Sequence, residues 1–95
     1  MDEKIRKAEK KDDKWFHIRP DGKPAYEERY DQVGYFKKGR AWVKKGDQCF
    51  HIRSDGKPAY EERYDRVDCF KKGRARVKQG DQCFFIRPNG KKVSD

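Results

Sequence analysis

The 95-residue chain has no leucine and no threonine, and only two serines, Ser54 and Ser94. Leu, Ile, Val and Phe together number 15, which is close to the composition of chains that stay unfolded. Any core must be thin and built on Phe, Tyr, Ile and Val. With hydroxyl side chains so scarce, a serine or threonine nucleophile beside a base is nearly excluded. No apolar run is long enough to span a membrane, and no membrane partner is expected. Met1-Asp2-Glu3-Lys4 is not a secretory start. The cysteines, Cys49, Cys69 and Cys83, are odd in number. Free thiols and a cytoplasmic location are the natural expectation.

What the chain does have is a repeat. Residues 14–47 read KWFHIRPDGKPAYEERYDQVGYFKKGRAWVKKGD, and residues 48–81 repeat that 34-residue string with 26 identities. A partial third copy, QCFFIRPNGKKV, opens residues 82–95. Self-similarity at this period signals an architecture in which each unit needs its neighbours to bury its apolar face. The chain therefore divides into a charged N-terminal segment, 1–13, and a repeat domain, 14–95.

Aromatic residues make up 14% of the chain, and glycine recurs at fixed places in each copy, which argues for order. Net charge is +9, and the first 13 residues contribute nothing to it. A basic surface attracts nucleic acid, anionic membrane or acidic proteins, but acidic residues are interleaved here, and solubility alone is the plainer account.

Residues 15–19, 49–53 and 83–87 alternate as strands do, with Phe16 and Ile18 on one face and Trp15, His17 and Arg19 on the other. Asp21-Gly22, Asp55-Gly56 and Asn89-Gly90 are tight-turn signals of the primed type. Residues 41–44 and 75–78 are further strands, followed by Gly46-Asp47 and Gly80-Asp81, which suit type II′ turns. Two hairpins, 41–53 and 75–87, thus cross the repeat boundaries. The string PAYEERYD between them is a helical turn or an irregular corner that tucks Tyr26 and Tyr30, or Tyr60 and Tyr64, inward. Residues 2–12 can form a short helix if docked on the first repeat. Paired-helix repeats share the 34-residue period, but glycines at hairpin positions and Pro24 and Pro58 argue against them.

The order aromatic-x-Ile, Asp-Gly-Lys, Tyr-Asp, Phe-x-x-Gly-x-Ala-x-Val, then Gly before the next aromatic strand resembles the bacterial WG-repeat family, also called KWG repeats. The resemblance runs from Lys14 to about Val93. It departs at the Trp-Gly pair, which reads Trp15-Phe16, Cys49-Phe50 and Cys83-Phe84, and in the more basic turn Lys37-Lys38-Gly39-Arg40. It implies β-rich tandem repeats and no known enzymatic activity.

Several constellations invite chemistry. His17 and His51 share a repeat position that Phe85 takes in the third copy, and alternation puts Cys49 on the face of His51. Cys-x-His is not the spacing of a closed zinc site, and a half-exposed strand face that takes His or Phe alike is the simpler account. No metal and no cofactor are expected. Glu27-Glu28 and Glu61-Glu62 sit beside Arg29 and Arg63, which reads as solvated ion pairs rather than a tuned acid–base pair. The cysteines read as small packing groups. The basic turns carry Lys37, Lys38 and Arg40, then Lys71, Lys72 and Arg74. Stacked units would align them as a stripe beside Trp42 and Arg76, two more exposed positions. An exposed Trp42 could stack a nucleic-acid base; otherwise the lysines simply guard strand edges.

The sequence thus predicts an all-β fold: an open, twisted stack of antiparallel hairpins in tandem 34-residue repeats. The function expected is that of a non-enzymatic scaffold for macromolecular interaction, with a protein as partner. The alternative is a nucleic-acid-binding module using Lys37, Lys38, Arg40, Trp42, Lys71, Lys72, Arg74 and Arg76. The first repeat strand lacks a preceding hairpin partner, so cover by residues 5–12, or self-association, is expected there.

Overall fold

The computed structural model describes residues 7–93, which hold eight strands and, among those residues, no helix. They are β1 (Lys7–Lys11), β2 (Lys14–Ile18), β3 (Gln32–Val33), β4 (Arg40–Lys45), β5 (Gln48–Arg53), β6 (Arg66–Val67), β7 (Ala75–Gln79) and β8 (Gln82–Ile86). All pairings are antiparallel, in the sheets β1-β2, β3-β4-β5 and β6-β7-β8. The two hairpins that cross the repeat boundaries are β4-β5 and β7-β8. The stack is elongated, 43 × 27 × 17 Å.

Lys7–Lys11 is a strand and not the expected helix; residues 2–6 lie outside those described. With only Ala8 apolar, the segment cannot bury a helical face, but it can satisfy the backbone edge of β2. Its register, Lys7↔Ile18 to Lys11↔Lys14, repeats that of β4 on β5. The β2 edge on which self-association was expected is therefore already paired. Asp12 and Asp13 close this hairpin at positive φ, 54° and 68°, a conformation Asp tolerates in a primed turn.

After each of β2 and β5 the chain doubles back. The Asp-Gly turns are not primed turns. Gly22 N–H donates to Arg19 O and Arg19 N–H to Lys23 O, both at 2.8 Å, with Gly22 at φ 85°. That is a type I turn closed by a left-handed glycine. The returning chain pairs with the free edge of the strand it has just left, at Ile18↔Pro24 and Trp15↔Tyr30. Between those bridges, PAYEER forms the irregular corner, not a helix.

Tyr30 is the hand-over point. It exchanges both backbone hydrogen bonds with Trp15, while the next residue, Asp31, already donates to Lys44 O of β4. The Asp31 carboxylate accepts from Gly46 N–H at 2.6 Å and so clips the following hairpin turn. Tyr64 and Asp65 repeat these contacts with Cys49, Lys78 and Gly80. The segment that closes one sheet at Tyr30 or Tyr64 thus runs directly into the first strand of the next sheet.

The core contains Phe16, Ile18, Val43, Phe50, Ile52, Val77 and Ile86, as alternation requires, with Phe84 half-buried against it. The four tyrosines of the corners join it. Tyr30 O–H donates to Gly56 O at 2.8 Å and Tyr64 O–H to Gly90 O at 2.7 Å, so each unit is bonded to the turn of the next. Their rings meet Phe50 and Phe84 edge-on at about 6 Å.

The alternation argument fails on the opposite face of β2 and β5. His17 and His51 are 2% and 1% exposed, not half-exposed. The corner folds over that face, placing Tyr26 against His17 and Tyr60 against His51, and the segments after β3 and β6 add Phe36 and Phe70. With no leucine available, a second layer of aromatic rings buries the far side of the sheet.

Candidate binding surface

The histidines are the most chemically distinctive buried groups. His17 Nε2 lies 2.7 Å from Gly34 O and Nδ1 lies 2.5 Å from the Tyr26 hydroxyl. A carbonyl only accepts, so Nε2 carries the proton and Nδ1 accepts from Tyr26 O–H. His51 repeats this with Asp68 O at 2.7 Å and Tyr60 O–H at 2.6 Å. Burial lowers the pKa of both, that of His51 to about 4, and raises those of Tyr26 and Tyr60. All four groups stay neutral at pH 7. Both ring nitrogens are committed within the fold, and Cys49 Sγ is turned to Asp65 O at 3.4 Å. The arrangement is that of a hydrogen-bonded core.

Arg29 and Arg63 do not form the expected pairs with their neighbouring glutamates. Each donates from one terminal nitrogen to three backbone carbonyls of its corner. Each also lies 4.0 Å above a phenylalanine ring, Phe16 or Phe50. The glutamate partners come from the next unit: Glu28 meets Lys57 at 3.5 Å and Glu62 meets Lys91 at 2.8 Å. Of the cysteines, only Cys49 is buried; Cys69 is half-buried and Cys83 exposed, so packing accounts for one of the three.

The basic turns are tight. Lys37 and Arg40 exchange both backbone hydrogen bonds across Lys38 and Gly39, which sit at φ 54° and 80°; Lys71 to Arg74 does the same. Lys37, Lys38, Lys71, Lys72, Arg74 and Arg76 are exposed. Arg40 is not: it is half-buried, and its Nε is buried without a hydrogen-bond partner among the described residues. Trp42 is also half-buried. Its indole lies over Gly34, so close that a Cβ there would fall 2.0 Å from Nε1. In the second unit Gly34 becomes Asp68 and Trp42 becomes Arg76. The side chain that excludes an indole thus arrives together with the loss of the indole.

The structure brings Lys71, Lys72, Arg74 and Arg76 around one cleft of about 560 Å³, together with Phe85, Asp68 and Cys69. Phe85 is 44% exposed, and the Arg74 guanidinium lies 5.1 Å from its ring centre. Lys37, Lys38, Arg40 and Trp42 are not part of this cleft. Phe85 was missed by sequence reasoning. The available signal was that a position sealed by a tyrosine corner in two units carries phenylalanine in the third.

Sheets that hand one strand to the next, each clasped through a tyrosine to its neighbour's turn, define a tandem β-repeat protein. The family model described as WG containing repeat matches residues 18–49 and 52–83. The chain belongs to that family. No curated protein and no solved structure matches it.

Proposed function

We propose that the chain is a non-enzymatic WG-repeat module that binds an acidic protein partner. The observation that carries this reading is the cleft of the second unit, where Lys71, Lys72, Arg74 and Arg76 surround the exposed Phe85 with a single carboxylate, Asp68, among them. Such a cleft suits a segment that offers carboxylates to the rim and an apolar side chain to the ring. Buried histidines with both ring nitrogens occupied, and glutamates held by lysines of the next unit, support a reading without catalysis. Cys83, free and exposed, suits a reducing, cytoplasmic setting.

One observation favours nucleic acid as the second reading. Phe85 offers a partly exposed aromatic ring among cations, as single-strand binders do. Trp42 is too closely laid on Gly34 for that role. Affinity capture with and without nuclease separates the two. The protein reading expects a partner that survives nuclease and is lost in Lys71→Ala/Arg74→Ala. A micromolar or tighter complex with single-stranded nucleic acid at physiological salt, weakened by Phe85→Ala, would replace it. Its log affinity should fall with log salt by about 0.7 for each phosphate neutralised.

A further inference from the structure

Cys49 and Cys69 stand at the positions that carry Trp15 and Tyr35 in the first unit. Both thiols line one groove of about 460 Å³ where the two full repeats meet. Trp42 and Val67 are its other apolar walls, and Lys44 and Arg66 stand at its rim. Every residue that lines it falls between Gln32 and Cys69, within the two complete units.

The first unit shows what fits such a place. Trp15 faces Lys10 on the neighbouring strand as Cys49 faces Lys44. Trp15 exchanges backbone hydrogen bonds with Tyr30 at 2.7 and 3.0 Å, and Cys49 does so with Tyr64 at the same two lengths. A half-buried indole in the first unit is thus a thiol in the second, with open groove beside it. Trp42 stands where β1 has Ala8, but it does not refill the space. Its indole leans away from β5, over Gly34. Burial raises the pKa of the Cys49 thiol, so the groove floor is uncharged at pH 7.

We infer that this groove is a seat for a tryptophan side chain presented by an acidic segment of a partner protein. The incoming indole takes the place that Trp15 takes in the first unit, against Trp42, Val67 and the two sulfurs. Charge selects what flanks it. Lys44, Arg66 and Lys78, which lies directly across from Arg66, have no ion-pair partner among the described residues. The Asp65 carboxylate is turned aside to Gly80 N–H at 2.8 Å. The groove shares Asp68 and Cys69 with the Phe85 cleft but none of that cleft's cations, so the two sites can be tested apart.

The test titrates the full chain, labelled for NMR, with a blocked Glu-Glu-Trp-Glu-Glu peptide at physiological salt. Saturable shifts are expected at the Val67, Asp68 and Cys69 amides and at the Trp42 indole. Alanine in place of the peptide's tryptophan should weaken binding at least about tenfold, the mark of a buried aromatic anchor. Arg66→Gln, which installs the first unit's residue, should weaken it about twofold to fivefold. Lys71→Ala/Arg74→Ala should leave it unchanged. Cys49→Trp, which supplies the first unit's own indole, should fold and no longer bind. Should it not fold, the alanine peptide and Arg66→Gln decide. No saturable shift up to several millimolar peptide overturns the inference. So do shifts centred on Phe85, equal binding by the alanine peptide, or undiminished binding by folded Cys49→Trp.

Discussion

Acid should unfold this protein through its histidines before its carboxylates matter. His51 is locked neutral by the Asp68 carbonyl and the Tyr60 hydroxyl, and burial, the largest cause, pushes its pKa down to about 4. Unfolded, the same side chain titrates near 6.5. Above pH 6.5 the imidazole is neutral in both states and its contribution is fully present. As pH falls from 6.5 towards 4, the unfolded chain takes up a proton that the folded chain refuses. Stability then drops by about 1.4 kcal/mol per pH unit, or roughly 3 kcal/mol in all. The buried His17 adds to the loss in the same direction. For a small domain with a total stability of about 5 kcal/mol, that is most of the margin. The assay is urea unfolding by tryptophan fluorescence at a series of pH values from 7.5 to 4. His51→Phe, which installs the residue found at 85, should be less stable at pH 7.5 by about 1–3 kcal/mol per polar group left unpaired. Its stability should nonetheless fall less steeply between pH 6.5 and 4, by about 1.4 kcal/mol per pH unit. Asp31 and Glu62 are held below the usual carboxylate range by hydrogen bonds from Lys14 and Lys91, so their losses come at lower pH. Identical slopes for the two proteins in the histidine window would refute the reasoning.

Tyr30→Phe or Tyr64→Phe removes the clasp to the next unit and strands a buried carbonyl, which should cost about 1–3 kcal/mol in chemical denaturation. Gly56→Ala combines positive φ with a Cβ inside the Tyr26 ring and should cost more than about 3 kcal/mol. Gly22→Ala, at the same φ with open space around it, should lose only about 1–2 kcal/mol by the same measurement. Gly34→Asp alone should cost about 1–3 kcal/mol through collision with Trp42. Gly34→Asp with Trp42→Arg should recover most of it, and simple additivity across that double-mutant cycle would contradict the paired reading.

Much of the fold was legible because β-hairpins announce themselves locally. The alternation of Phe16 and Ile18, and of Phe50 and Ile52, gave the core face, and Gly46 and Gly80 gave the hairpin turns. What local signals could not give was the return of the chain over the other side of β2 and β5. A period of two assigns His17 to solvent unless one knows that the corner at 24–31 folds back over it. The same long-range step decides the roles of Tyr30 and Asp31, adjacent residues that pair with different sheets. The N-terminal strand was missed because Lys7–Lys11 has almost no apolar pattern; its conformation is dictated by the backbone edge it satisfies. In the candidate surface, Lys71, Lys72, Arg74 and Arg76 were readable from charge. Phe85 was not, since its exposure depends on which corner covers the equivalent His51.

Units sharing 26 of 34 residues face a problem of mistaken identity while folding, because the short strands β3 and β6 can each compete for the other's seat. Two of the differing positions answer it. Gly34 N–H bonds Trp42 O and Asp68 N–H bonds Arg76 O, so each pair meets directly across a strand boundary. Were the β6 segment to take the place of β3 beside β4, the Asp68 side chain would enter the space that the Trp42 indole fills. Were β3 to settle on β7, Gly34 would leave Arg76 facing a gap. The two substitutions therefore key each short strand to its own partner and penalise the crossed assembly. A chain duplicated without them would lose the steric key that tells the two seats apart at this crossing, and would lean on the six remaining differences between the units to sort them.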